Sequence, residues 1–202
     1  MFAYGIPYGK LRLASNYSAC CLMDTVDQSN RVLSTTRLVI QPIQSADEER
    51  LLRLWRDPEV RRYLWDNHII SEDEVKAIQQ GSDRCFAEYG AGLYGIAAVD
   101  QPNDLVGFCG LRKFEQGELL ELLYGMYPQY WGKGLVTEAV KAVLTHGFEQ
   151  CGIERVIAAT ETPNQPSVRV MQRLGMAFSE RRQWHGLDTV FYTLTREDFH
   201  AV

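Results

Sequence analysis

From residue 37 onward the chain switches between two hydrophobic periods, one near two residues and one near 3.6, and the order of the switches outlines an architecture. RLVIQPI (37–43) alternates as a strand does, and Asp47 then stands as N-cap before a helix carrying Leu51, Leu52, Leu54 and Trp55. DPEVRRYL restarts a short helix, with Asp57 as cap and Pro58 in the first turn. Ser71 and Glu74 have the spacing of a capping box, which predicts a third helical stretch toward Tyr89 with Gly81 as a point of interruption. The period then shortens. GLYGIAAV (92–99) and LVGFCGLRKF (105–114) read as strands around the turn composition DQPND. A second turn, EQG (115–117), leads into ELLELLYGMY (118–127), so three consecutive antiparallel strands are expected.

The helical period returns with Val136, Ala139, Val140, Val143, Leu144 and Phe148 on one stripe, and Gly152 is the expected C-cap. RVIAAT (155–160) follows as a strand. A strand, a crossover helix and a strand in this order imply a parallel pair with a right-handed crossover. NQPSVRVMQRLGM predicts a short helix with Asn164 as cap, Pro166 in the first turn and Gly175 at the end. The tail AFSERRQWHGLDTVFYTLT has two strand-like arms around HGLD, a final hairpin. The expected fold class is α/β (α+β): a mixed, mostly antiparallel central sheet with one parallel strand pair and helices on both faces. Residues 1–34 show no sustained period and read as an N-terminal extension of unassigned role, leaving 35–202 as one domain.

Composition narrows the class. At 202 residues, 46% hydrophobic and 23% charged, the chain suits a globular domain with a sizeable core. Its net charge of −5 argues against a nucleic-acid partner, which usually meets a basic face. The five cysteines, Cys20, Cys21, Cys85, Cys109 and Cys151, are odd in number and lack metal-ligand spacing, so a reducing cytoplasmic setting without a metal is expected. No apolar run is long enough for a membrane span, so no membrane association is expected. Monomer and homodimer both stay open.

The chemistry is concentrated in PQYWGKGLVTEAVKAV (128–143). Glycines before a helix N-terminus let backbone N–H groups and the positive end of the helix dipole converge on a phosphate, with Lys133 as an added cation. The spacing fits neither a nucleotide P-loop nor a dinucleotide fold. Taken with TTRLVIQPI, DPEVRRYL, NQPSVRVMQRLGM and HGLDTVFYTLTREDF, the stretch resembles the GNAT superfamily of acetyl-CoA-dependent N-acetyltransferases. The pattern is most similar to their ribosomal-protein N-terminal (alanine/serine) acetyltransferase branch, over residues 36–199.

That resemblance implies acetyl-CoA as co-substrate and a pyrophosphate cradle with the signature [Q/R]-x-x-G-x-[G/A]. QYWGKG (129–134) matches the letters, whereas the spacing from Pro128 places Trp131, Gly134 and Val136 at the three defining positions. The second register is preferred, with Trp131 and Val136 as departures, and it assigns Trp131, Gly132, Lys133, Gly134, Val136 and Thr137 to the cofactor. Backbone groups near Tyr124, Met126 and Tyr127 would pair with the pantetheine arm, and Asn164 would hold its far side.

The family tyrosine acid is replaced by Met171, so Ser167 becomes the candidate donor to the leaving thiolate. Glu121 and Glu161 are alternative bases. Tyr63, Trp65 and Trp184 are candidates for the acceptor pocket, while the four histidines and the ERR run (180–182) read as surface groups. The implied acceptor is a protein or peptide N-terminal amine. Such an amine, with a pKa near ~8, is partly neutral at pH 7, whereas a lysine near ~10.4 is almost wholly charged. A small-molecule amine (polyamine, amino acid or aminoglycoside-like) and a non-catalytic acyl-CoA-binding module are the other readings.

Overall fold

The computed structural model describes residues 31–115 and 119–200; Cys20, Cys21 and the second and third residues of the EQG turn lie outside the described residues. Its strands are β1 (Leu33–Ser34), β2 (Leu38–Pro42), β3 (Leu93–Ala98), β4 (Gln101–Lys113), β5 (Leu120–Met126), β6 (Arg155–Glu161), β7 (Ala177–Trp184) and β8 (Leu187–Thr195). They form one sheet in the order β1-β2-β3-β4-β5-β6-β8-β7. Every neighbouring pair is antiparallel except β5 and β6. The helices are α1 (Glu48–Arg56), α2 (Pro58–Arg61), α3 (Glu72–Tyr89), α4 (Leu135–Glu149), α5 (Gln165–Arg173) and α6 (Arg196–His200).

Two large apolar clusters sandwich the sheet. Leu120, Leu122, Tyr124 and Met126 of β5 pack with the apolar stripe of α4 and with Val168 and Met171 of α5. Leu123 of the same strand packs with Leu51, Leu54, Trp55, Val60 and Val75 of the early helices. Successive side chains of a strand point to opposite faces, so β5 feeds both clusters and reads as a continuous buried run. Glu121 shares its face with Leu123, and Glu161 on β6 shares its face with Ile157 and Ala159 of a third cluster around Phe114, Trp184 and Phe191.

Local details differ from the sequence expectations for identifiable reasons. Gly81 does not interrupt α3, which runs unbroken from its Ser71–Glu74 capping box to Gly90 in the left-handed conformation. The β3–β4 turn sits at Val99 and Asp100, and most of DQPND belongs to β4, where register shifts between Ile96 and Ala97 and between Ala97 and Ala98 absorb the extra residues. Asp47 occupies the N-cap position of α1, but its carboxylate accepts from the Gln44 amide instead. Gln150 is the C-cap of α4, with Gly152 at φ 68° two residues on. Residues 33 and 34, read as part of the extension, pair with β2 as an edge strand.

Candidate active site

The parallel pairing of β5 and β6 covers only Leu120 with Val156 and Glu121 with Ile157. Beyond it each strand keeps only its antiparallel neighbour, β4 or β8, so a wedge opens between 122–126 and 158–161. The Tyr127 N–H donates to Val106 O of β4 at 3.0 Å. Backbone groups alternate along a strand, so those of Leu122, Tyr124 and Met126 turn toward the wedge. An extended arm could add there as a strand does. The Met126 carbonyl has one partner already, the Trp131 indole N–H at 2.6 Å.

The loop above the wedge begins as a 3-10 turn at Pro128–Tyr130, in which the Tyr130 and Trp131 amides donate to Tyr127 O and Pro128 O. Those amides are engaged. The chain then passes Gly132 (φ 73°) and Gly134 (φ 76°), both in the left-handed region that favours glycine, and enters α4 at Leu135. The first helical amides, Leu135, Val136 and Thr137, have no carbonyl one turn back to bond, and the Glu138 amide is the first with one, at Gly134 O. Beyond its chain neighbours, no atom lies within 4 Å of where a Cβ on Gly132 would stand, so the loop is open there. Lys133 holds its ammonium 5.5 Å from the Tyr130 ring centroid, while Val136 turns inward as core.

Across the wedge, Asn164 is the N-cap residue of α5 by position but makes no side-chain cap bond; its Nδ2 donates to Thr160 Oγ1 at 2.8 Å, both groups being buried. Ser167 is not a surface or capping serine. It is fully buried, with Oγ 2.7 Å from the Tyr124 hydroxyl, which also reaches the Ser167 carbonyl at 3.2 Å. If the phenol donates to Oγ, the serine proton is left to point elsewhere. Burial raises the Tyr124 phenol well above its ordinary value, so it stays protonated as a donor.

On the other face Glu121 is 1% exposed, its Oε2 taking both Arg112 Nε (2.8 Å) and Nη2 (2.7 Å). Burial pushes this carboxyl up and Arg112 pulls against it. Glu161 is only partly buried, and burial followed by the charge of Asp66 raises it. Asp66 lies in a segment, Trp65–Asn67, whose three residues all have positive φ (55°, 51°, 60°), a strained backbone for non-glycine residues. Trp65 packs edge-on to Trp55 in the core, Tyr63 packs beside that cluster, and Trp184 stacks on Phe114. Tyr63 and Trp65 thus belong to one apolar cluster and Trp184 to another. The ERR run is not simply solvated, because the Arg182 guanidinium sits 4.3 Å from the Trp184 ring and 4.5 Å from that of Phe191.

Sequence reasoning missed four groups: the Tyr124 hydroxyl, Arg112, Asp66 and Arg182. Counting outward from the 115–117 turn puts Arg112 opposite Leu120, one residue short of its observed partner Glu121, whereas Arg182 shares a strand face with Trp184, so only the last left a direct signal. Tyr124 and Ser167 are 43 residues apart and meet only in the fold.

A model of the acetyltransferase (GNAT) domain matches residues 37–177. The uncharacterized N-acetyltransferase p20 of Bacillus licheniformis is 24% identical over 174 residues, covering 83% of this chain and 97% of that protein. The FsC-acetyl coenzyme A-N(2)-transacetylase of Aspergillus fumigatus is 25% identical over 184 residues, covering 83% and 77%. Among solved structures, RimL, a ribosomal L7/L12 alpha-N-protein acetyltransferase in complex with coenzyme A, is similar with a TM-score of 0.68 at 18% identity, over 81% of this chain and 97% of that one. Likeness at that identity speaks for the fold. The family match spans the glycine loop, the splayed strands and the Asn164 segment together, and the chain belongs to the acetyltransferase (GNAT) family of acyl-transferring enzymes.

Proposed function

We propose that this enzyme transfers the acetyl group of acetyl-CoA to a primary amine, the N-terminus of a protein or peptide, by direct attack within a ternary complex. The observation that carries the reading is the end of β5–β6 pairing at Glu121 and Ile157 directly beneath a loop with open amides. Gly132, Gly134 and the first amides of α4 would hold the pyrophosphate, with Lys133 as a nearby cation. This favours the register from Trp131 to Val136 over the one starting at Gln129, since the Tyr130 amide already has a partner in the turn. Bound acetyl-CoA supplies the acetyl group as a thioester.

The residues around the wedge divide the remaining work. Backbone N–H groups of 122–126 that face the gap would align the arm and polarise the thioester carbonyl. Asn164 shapes the opposite wall. Ser167, with Tyr124 donating to its oxygen, would present its own proton to the departing sulfur. Glu161 is favoured over Glu121 for taking the amine proton: it is partly open to solvent at the mouth of the wedge, while Glu121 is locked to Arg112. Trp65 and Trp184 would support the acceptor side from within the core, and Tyr63 from its partly buried margin.

An α-amine suits this site because little base strength is needed to free it of its proton, and the RimL neighbour is named for such a substrate. A small-molecule amine is the second reading; the FsC-acetyl coenzyme A-N(2)-transacetylase relative is named for acetyl transfer to a nitrogen and not for a protein terminus. Among the described residues the cysteines are free thiols, which supports a reducing, cytoplasmic setting. The test is CoA release on a panel of peptides differing in their first residue, beside polyamines, amino acids and aminoglycosides. Turnover confined to peptides with free N-termini is expected. Turnover confined to small amines would replace the acceptor, and CoA binding without release on any amine would leave a binding module.

A further inference from the structure

Arg37, in the turn between β1 and β2, grips both sides of the glycine loop from a part of the chain nearly a hundred residues away. Its Nη1 donates to the Lys133 carbonyl at 3.0 Å, while Nε reaches Glu138 Oε2 at 2.8 Å and Nη2 forms a bridge to the same oxygen. Glu138 lies in the first turn of α4, and its other oxygen accepts from Thr35 Oγ1 (2.5 Å) and the Arg37 amide (3.3 Å). The loop it spans, Lys133 to Glu138, is the segment with the open amides. We infer that Arg37 is a positioning residue for phosphate binding, fixing the orientation of the Gly134 amide and cancelling the Glu138 charge beside the pyrophosphate cradle.

Peptide geometry carries the first half. The Lys133 carbonyl and the Gly134 N–H belong to one planar trans unit, so they point in opposite directions. Holding the carbonyl toward Arg37 aims the amide away from it, toward the open side of the loop. Gly132 and Gly134 would otherwise leave this unit free to flip, because glycine carries the largest backbone freedom to be lost on ordering. Charge carries the second half. A carboxylate one turn into a helix favours the helix dipole but repels an anion bound at the same end. The forked guanidinium pairs with that carboxylate and leaves the helix end able to accept a phosphate. Lysine would match the charge but present it from a single nitrogen, without the fork that here serves the carbonyl and the carboxylate from separate nitrogens.

The inference rests on the acetyl-CoA reading above, and the experiment separates the two. Affinities for CoA and for pantetheine, which lacks the phosphates, are measured by titration calorimetry on the full chain, and their ratio is compared between wild type, R37A and R37K. Arg37 is half exposed, so Tm is expected to fall by only about 2–4 °C. The CoA-to-pantetheine ratio is expected to drop about tenfold or more in both variants. With acetyl-CoA and an amine the wild type accepts, the loss should fall on KM more than on kcat. An unchanged ratio in R37A, or a wild-type ratio in R37K, overturns the positioning role while leaving the acetyl-CoA reading in place. R37K alone decides if R37A does not fold. A wild-type protein that binds no CoA overturns both.

Discussion

At the scale of single residues the proposed chemistry turns on a hydroxyl that water does not reach. Ser167 is fully buried, and its Oγ has the Tyr124 phenol as partner at 2.7 Å. A buried hydroxyl that only satisfied the phenol would cost stability when removed, whereas one that also served the leaving sulfur would cost rate. Ser167→Ala is expected to lose about 1 kcal/mol of stability, the net worth of one hydrogen bond. Its kcat is expected to fall about 100-fold, the low end for a positioned proton donor, with KM for acetyl-CoA little changed. Tyr124→Phe should lower kcat in the same direction and by less, because Ser167 keeps its own proton. Thermal melts beside steady-state rates check this. A Ser167→Ala enzyme that melts earlier but turns over at the wild-type rate would reduce the serine to packing.

At the scale of elements, the junction of the β1–β2 turn with α4 has a pH signature of its own. Burial pushes the Glu138 carboxyl up, but hydrogen bonds from Thr35 and Arg37 and the guanidinium charge outweigh it and hold the group below its ordinary value of 4.5. A depressed folded value means the unfolded chain binds more protons, so this contribution is fully present above pH 4.5 and is lost as pH falls through the folded value. Tm measured across that acid window should fall more steeply for the wild type than for Glu138→Gln; parallel curves would show that the pair contributes nothing to folding. None of this junction was legible in the sequence, since Arg37 and Glu138 are 101 residues apart. What was legible had local causes. The Ser71–Glu74 box, the Asp57 cap over Glu59 and Val60, and the strand-helix-strand order that makes β5 and β6 parallel are each written within a few residues or in chain order. The same local signals misplaced the β3–β4 turn, because a bulge lets turn-forming residues sit in a strand. They also assigned Asn164 to capping, because they could not see Thr160 behind it. The glycine loop and Ser167 stood out as sequence, but the Tyr124 hydroxyl and Asp66 became visible only when long-range packing brought them to the wedge.

For the molecule as a whole, the arrangement of its two large clusters bears on whether the acetyl group ever rests on the protein. A covalent route needs an activated nucleophile, and a thiol becomes one only where its pKa is lowered. The core does the reverse. Burial pushes the Cys85 thiol up to about 12, with the Glu88 charge adding to it, and burial raises Cys109 further. Cys151 is raised as well, and its thiol is engaged with the Gly90 carbonyl at 3.3 Å. Ser167 has a protonated phenol beside it and no described base. The wedge, by contrast, lies between the face that carries α4 and α5 and the face that carries Glu121 and Glu161, so donor and acceptor could occupy it together. Direct transfer predicts intersecting double-reciprocal lines when acetyl-CoA and amine are varied against each other. It also predicts that the intact mass of the full chain, Cys20 and Cys21 included, stays unchanged after incubation with acetyl-CoA alone. Parallel lines together with the gain of one acetyl group that a subsequent amine removes would establish an acyl-enzyme, and the nucleophile would then have to lie outside the residues placed around the wedge.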